Sequence, residues 1–143
     1  MKKHKGYTLL ELIVVISIIL ILISISVNTF TSMAGLKEMM EIKRVHRDIL
    51  STRTLAKRES KYVSITFSES GYSIYAEDSS VASKELKEIK FLSGESNRVT
   101  ISFTNRGIPA FDGAGTLYFL GRNKKYKITV VPVSGNVNLG EVE

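Results

Sequence analysis

From Leu12 to Val27 the chain carries no charged residue, and its only polar interruptions are Ser17, Ser24 and Ser26. Serine hydroxyls can bond back to helix carbonyls, so the run is compatible with a helix in an apolar medium. Counted from Tyr7 to Val27, such a helix would extend roughly 31 Å, close to the thickness of a bilayer hydrocarbon core. One membrane span is expected over residues 7–27. Lys2, Lys3 and Lys5 precede it, and the positive-inside bias keeps the N-terminus cytoplasmic, with the rest of the chain on the other side.

The helical pattern continues beyond Val27. No proline occurs before Pro109, and Phe30, Met33, Leu36, Met40, Val45, Ile49 and Leu55 recur near helical spacing with charges between them. A single helix from about Tyr7 to about Lys57 would be some 75 Å long. It is apolar all round in its first half and amphipathic over 28–58, so the second half is expected to pack against its own domain. Met33, Met39 and Met40 suit adaptable packing, and His46 a helix-surface position.

From Lys61 the period changes to two. Val63, Ile65 and Phe67 lead through Glu69-Ser70-Gly71 into Tyr72, Ile74 and Ala76, a hairpin. The polar stretch Glu77 to Glu88 reads as a loop with a helical turn around Ala82 to Leu86. Short strands are expected at Ile89 with Phe91, Val99 to Phe103, Leu117 to Leu120, Ile128 to Val131, and Val137 with Leu139, about seven in all. The expected class is α+β: a long N-terminal helix, its first half in the membrane, with an antiparallel β head over 59–143 packed on its second half.

Glu11 stands out against this background. An acid inside an apolar span is disfavoured by roughly 2.5 to 3.5 kcal/mol at the helix centre and less near an end. From position alone, Glu11 either snorkels to the interface or meets a positive partner. The segment Lys5-Gly6-Tyr7-Thr8-Leu9-Leu10-Glu11 resembles the processing site of type IV prepilins and pseudopilins. The resemblance implies that a prepilin peptidase/methyltransferase cuts after Gly6, removes residues 1–6 and methylates the new amine of Tyr7. It also implies that Glu11 pairs with that amine on a neighbouring subunit during assembly. A paired carboxylate is tolerated in low dielectric. Tyr7 departs from the family's usual phenylalanine but remains aromatic. The competing readings are a plain signal anchor, which leaves Glu11 unexplained, and a secretory signal peptide cut near Ser32 or Ala34. The apolar run exceeds the usual 7 to 15 residues of a secretory peptide.

The formal charge is +6, which raises the question of nucleic acid. Three lysines lie in residues 1–6, residues 28–58 carry a net +4, and ten bases balance ten acids from Glu59 onward. The head is neutral, so DNA as a partner has weak support. Lys43, Arg44 and Arg47 fit a solvated or inter-subunit helix face. The chain has no cysteine, which excludes disulfides and thiolate metal sites.

A second resemblance covers about 99–140. Ile101-Ser-Phe-Thr-Asn-Arg-Gly107, Gly115-Thr-Leu, Tyr126-Lys-Ile-Thr-Val-Val131 and Ser134-Gly-Asn-Val137 are similar to the C-terminal layout of H-type minor pseudopilins of type II secretion and related minor pilins. Heads of that kind are two-sheet β structures on the helix. The head has neither histidine nor cysteine, so a Ser/His/Asp site is impossible within it. Glu77-Asp78-Ser79-Ser80 offers oxygens but lacks the spacing and glycine of an EF-hand loop. Gly113-Ala-Gly115 precedes a strand and does not open a helix, against a phosphate cradle. No enzyme activity, cofactor or metal is expected.

The expected role is a minor pilin or pseudopilin subunit, inserted in the inner (cytoplasmic) membrane and then assembled with other subunits into a filament. That filament would belong to a pilus, a type II secretion pseudopilus or a DNA-uptake machine. The opposing class is a membrane-anchored or secreted β-domain binding module.

Overall fold

The computed structural model describes residues 8–77, 79–122 and 124–142, without the side chains of 25–32 and 34. One helix, α1 (Leu9–Glu59), is followed by eight strands: β1 (Val63–Ser68), β2 (Gly71–Ala76), β3 (Ser79–Glu85), β4 (Lys90–Phe91), β5 (Thr100–Phe103), β6 (Gly115–Leu120), β7 (Lys125–Val130) and β8 (Val137–Val142). The chain divides into two compact units, one ending at Leu36 and one running from Lys37.

In the second unit the strands form two four-stranded sheets, ordered β3-β2-β1-β5 and β4-β6-β7-β8. Every pairing is antiparallel. The α+β class with two sheets agrees with the sequence. Glu69-Ser70 joins β1 to β2, with Phe67 opposite Tyr72 and Ile65 opposite Ile74. The buried members of β1 are Val63, Ile65 and Phe67, so its period of two marks the face turned to the core.

The helix contributes Ile42, Val45, Ile49, Thr52 and Ala56, all essentially inaccessible. Their steps of three and four residues define one helical face. Met33, Leu36 and Met40, which share the apolar pattern in the sequence, are more than half exposed. Phe67 ties the sheets together. Its ring lies 5.5 Å from Tyr72 in its own sheet, and 5.4 and 5.7 Å from Phe91 and Phe119 in the other. Aromatic pairs at these separations add to the gain from burial.

One expected element is corrected. Where the sequence suggests a loop with a helical turn around Ala82 to Leu86, β3 occupies Ser79–Glu85 and pairs along β2 with a shift between Ile74 and Tyr75. It is an edge strand with no fully buried residue, so its side chains carry no clear apolar alternation; main-chain pairing with β2 holds it, joined by Lys84 on Asp48 and Ser83 on Ser73. Ser79 and Ser80 therefore open a strand. Glu77 pairs with Lys61 at 3.4 Å, and Asp78, part of the same considered calcium stretch, lies outside the described residues.

Candidate assembly surfaces of the helix

Gly6 and Tyr7, the expected processing site, lie outside the described residues. Glu11 is described, in the first turn of α1 and exposed. Its main-chain N–H donates to Thr8 O at 3.1 Å and also approaches Thr8 Oγ1 at 3.3 Å. Thr8 thus occupies the N-cap position and Glu11 the third helical residue, the spacing of a capping box, with the Thr8 half of it formed. The spacing Thr8-x-x-Glu11 was present in the sequence as its signal. A carboxylate there is also favoured by the positive end of the helix dipole.

Past Glu11, the large apolar side chains from Leu12 to Ile23 are all exposed by about half or more. Ser17 Oγ donates to Ile13 O at 2.8 Å, closing its hydroxyl onto the helix. Among the described residues no helix is long and apolar enough to cross a membrane.

Further along the helix, three acids turn toward the sheets, which the sequence reading did not single out. Glu41 accepts the main-chain N–H groups of Lys87, Glu88 and Ile89 on Oε2 at 3.1, 2.7 and 3.0 Å. Its Oε1 takes Arg44 Nη2 at 2.8 Å, and the same guanidinium nitrogen donates to Glu85 O at 2.8 Å. Glu38 accepts the N–H of Arg122 at 3.0 Å. A Cβ at Gly121 would run into the Glu38 carboxylate, which would have to shift away from it. Asp48 Oδ2 receives Tyr72 OH at 2.5 Å and Lys84 Nζ at 2.7 Å. Burial first, and then this carboxylate, hold the Tyr72 phenol well above its usual range. Tyr126 is raised by burial and by the charge of Glu38.

Two basic residues complete the docking. Arg53 donates to Gly107 O at 2.9 Å and Ser134 O at 2.8 Å. His46 Nε2 sits 3.0 Å from Val137 O; a carbonyl only accepts, so Nε2 carries the proton. His46, expected on the helix surface, is half-buried against β8. Of the three residues expected on a solvated or inter-subunit face, Arg44 turns into the head. Lys43 and Arg47 stay exposed and line an open groove of about 500 Å³ with Met40, His46 and Leu139.

No cluster of three or more potential metal ligands occurs among the described residues. The polar groups drawn together here act as fasteners between main-chain segments, an arrangement suited to structure.

A long N-terminal helix followed by antiparallel β sheets defines a pilin-like fold. The chain's fold is similar to that of the type IV minor pilin FimU of Pseudomonas aeruginosa (strain PAO1), with a TM-score of 0.58 at 13% identity, over 71% of this chain and 91% of that one. Residues 1–27 match the family model described as the prokaryotic N-terminal methylation motif. No curated protein matches the chain. The motif and the fold together support a likeness to the type IV pilins, which are structural subunits. The motif implies processing by a prepilin peptidase and association with other pilin subunits, and it suggests a membrane-anchored subunit.

Proposed function

We propose that this chain is a minor subunit of a type IV pilus-like filament, serving a pilus, a type II secretion pseudopilus or a DNA-uptake machine. The peptidase cuts between Gly6 and Tyr7, and the Tyr7 amine is methylated. The mature helix waits in the cytoplasmic membrane with residues 7–27 in the bilayer, the N-terminus cytoplasmic and the head outside. On extraction, the Glu11 carboxylate meets the Tyr7 amine of an adjoining subunit, and neighbouring helices replace lipid around Leu12 to Val27.

The observation that carries this reading is the lone acid. Glu11 is the one charged side chain between the lysines of the N-terminus and Lys37, and it sits exposed at the start of an exposed apolar helix. With that surface against lipid or other helices, a positive partner would offset the cost of the charge.

Mass spectrometry of the N-terminus of the native protein tests it. A chain starting at methylated Tyr7 is expected. A chain starting at Gly35 would mean signal-peptidase cleavage, and with it a secreted β-domain binding module.

A further inference from the structure

We propose that the groove between α1 and the outer edge of β8 takes an extended, acidic segment of a partner protein, which adds to β8 as a further strand. β8 is the last strand of its sheet. Val131 N–H donates to Asn136 O at 2.8 Å, and the same register continues as Thr129 with Asn138, Lys127 with Gly140 and Lys125 with Val142. Along an antiparallel pair, residues that exchange main-chain bonds alternate with residues that turn those groups away. Val137, Leu139 and Glu141 therefore direct their N–H and C=O groups outward. His46 Nε2 meets Val137 O at 3.0 Å, in agreement. The outward N–H and C=O groups of Leu139 and Glu141 find no such partner among the described residues. An open main-chain edge is a template for an added strand.

The lining sets the character of the occupant. Met40, Lys43, His46, Arg47 and Leu139 enclose about 500 Å³ and include no carboxylate. Lys43 and Arg47 are exposed, and neither is in an ion pair among the described residues. Glu141, the acid of β8, is held by Lys124 at 2.9 Å. Two free cations beside an open strand edge call for carboxylates on the incoming chain, while Met40 and Leu139 offer it an apolar floor. An extended segment fits better than a helix. Two helical turns about 10 Å across occupy roughly 850 Å³, and their main-chain groups are spent internally. A nucleic acid would satisfy the cations but has no alternating amide and carbonyl groups for Leu139, and it usually meets a larger basic surface. The contact goes beyond the assembly reading, because it needs neither the leader cut nor Glu11.

The test titrates the full-length protein, in a zwitterionic detergent, with the blocked peptide acetyl-Glu-Val-Glu-Thr-Glu-amide and follows the main-chain amides by NMR. Exchange at Leu139 and Glu141 should slow by roughly tenfold when the groove is nine-tenths filled. Gly140, whose N–H is already turned to β7, should change little. The same peptide N-methylated throughout keeps its charges but donates no main-chain bond, and it should bind at least tenfold more weakly. Lys43→Glu with Arg47→Glu should weaken the acidic peptide by roughly tenfold, the factor for about 1.4 kcal/mol, and admit its lysine counterpart instead. Both side chains are exposed, so the fold should survive the exchange, and an unchanged amide spectrum elsewhere checks this. Equal binding of the N-methylated peptide would overturn strand addition, and equal binding of the lysine peptide to the parent protein would overturn the acidic partner. No protection at Leu139 and Glu141 with millimolar peptide would overturn the proposal outright, as would perturbation of the groove by a DNA oligonucleotide and not by the peptide. None of these outcomes bears on the Tyr7 N-terminus, which is read separately.

Discussion

Glu41 on the helix holds Ile89 through its main-chain N–H at 3.0 Å, with both residues buried. Lys87 and Glu88 donate to the same oxygen, so the chain entering β4 is fixed by one carboxylate. Glu41→Ala leaves these donors without an acceptor and is expected to cost about 3 kcal/mol. For a head of this size that lowers the midpoint of a thermal melt by roughly 10 °C or more. Glu41→Gln keeps an acceptor oxygen and should lose about half as much. A melt of Glu41→Ala within 2–3 °C of the parent, about the resolution of a small ΔΔG, would refute the role.

Tyr72 gives the fold an alkaline limit. Its phenol is raised by burial and by Asp48, so the folded state binds this proton more tightly than the unfolded chain. The associated stability is complete below the unfolded value of about 10 and is lost as pH rises beyond it. Urea unfolding above about pH 10 should therefore show stability falling by up to roughly 1.4 kcal/mol per pH unit from this group. Tyr72→Phe should flatten the slope while costing about 1 kcal/mol at neutral pH through the lost Asp48 bond. An unchanged slope would assign the alkaline loss elsewhere, Tyr126 being the next group raised.

The capping-box spacing of Thr8 and Glu11 means that Glu11→Ala alone cannot isolate the charge. Glutamine serves a capping box as glutamate does but carries no charge. Filament incorporation should fall for Glu11→Gln by roughly tenfold, the factor for about 1.4 kcal/mol, and nearly as far as for Glu11→Ala. Immunoblots of sheared filaments against total protein would measure this. Retained incorporation in Glu11→Gln would reduce the residue to a helix cap.

Phe67 contacts aromatic rings in both sheets. Phe67→Ala should cost about 3–5 kcal/mol, as a large deletion in a packed core does, and Phe67→Leu much less. Denaturant unfolding of the two variants would separate lost volume from lost ring geometry; equal costs would mean that the ring itself, and not the volume it fills, carries the contribution.

The helix, the two-sheet head and most strands were legible because they rest on periodicity. Val63, Ile65 and Phe67 alternate, and Ile42, Val45 and Ile49 recur at helical steps, since burial acts on side chains. β3 was not legible: Ser79–Glu85 buries no residue fully, and main-chain pairing leaves no trace in residue types. The fasteners were half legible. Glu38 and Glu41 share the helical phase of Ile42 and Val45, an anomaly visible in the sequence. Their partners are the main-chain N–H groups of Arg122 and of residues 87 to 89, which every residue except proline possesses. Glu11 was visible at once, yet its cap with Thr8 was overshadowed by its charge.

The fasteners along the helix also set the order of events when the chain is made. Glu41 waits 48 residues for Ile89, Glu38 waits 84 for Arg122, and His46 waits 91 for Val137. During synthesis the helix emerges first, with its acids short of their partners and Ile42, Val45 and Ile49 bare, until the strands follow. Contacts this distant in sequence slow folding, so the young chain passes through a period in which its apolar face is open to capture by chaperones or to aggregation. A nascent chain truncated before β8 should remain in that state.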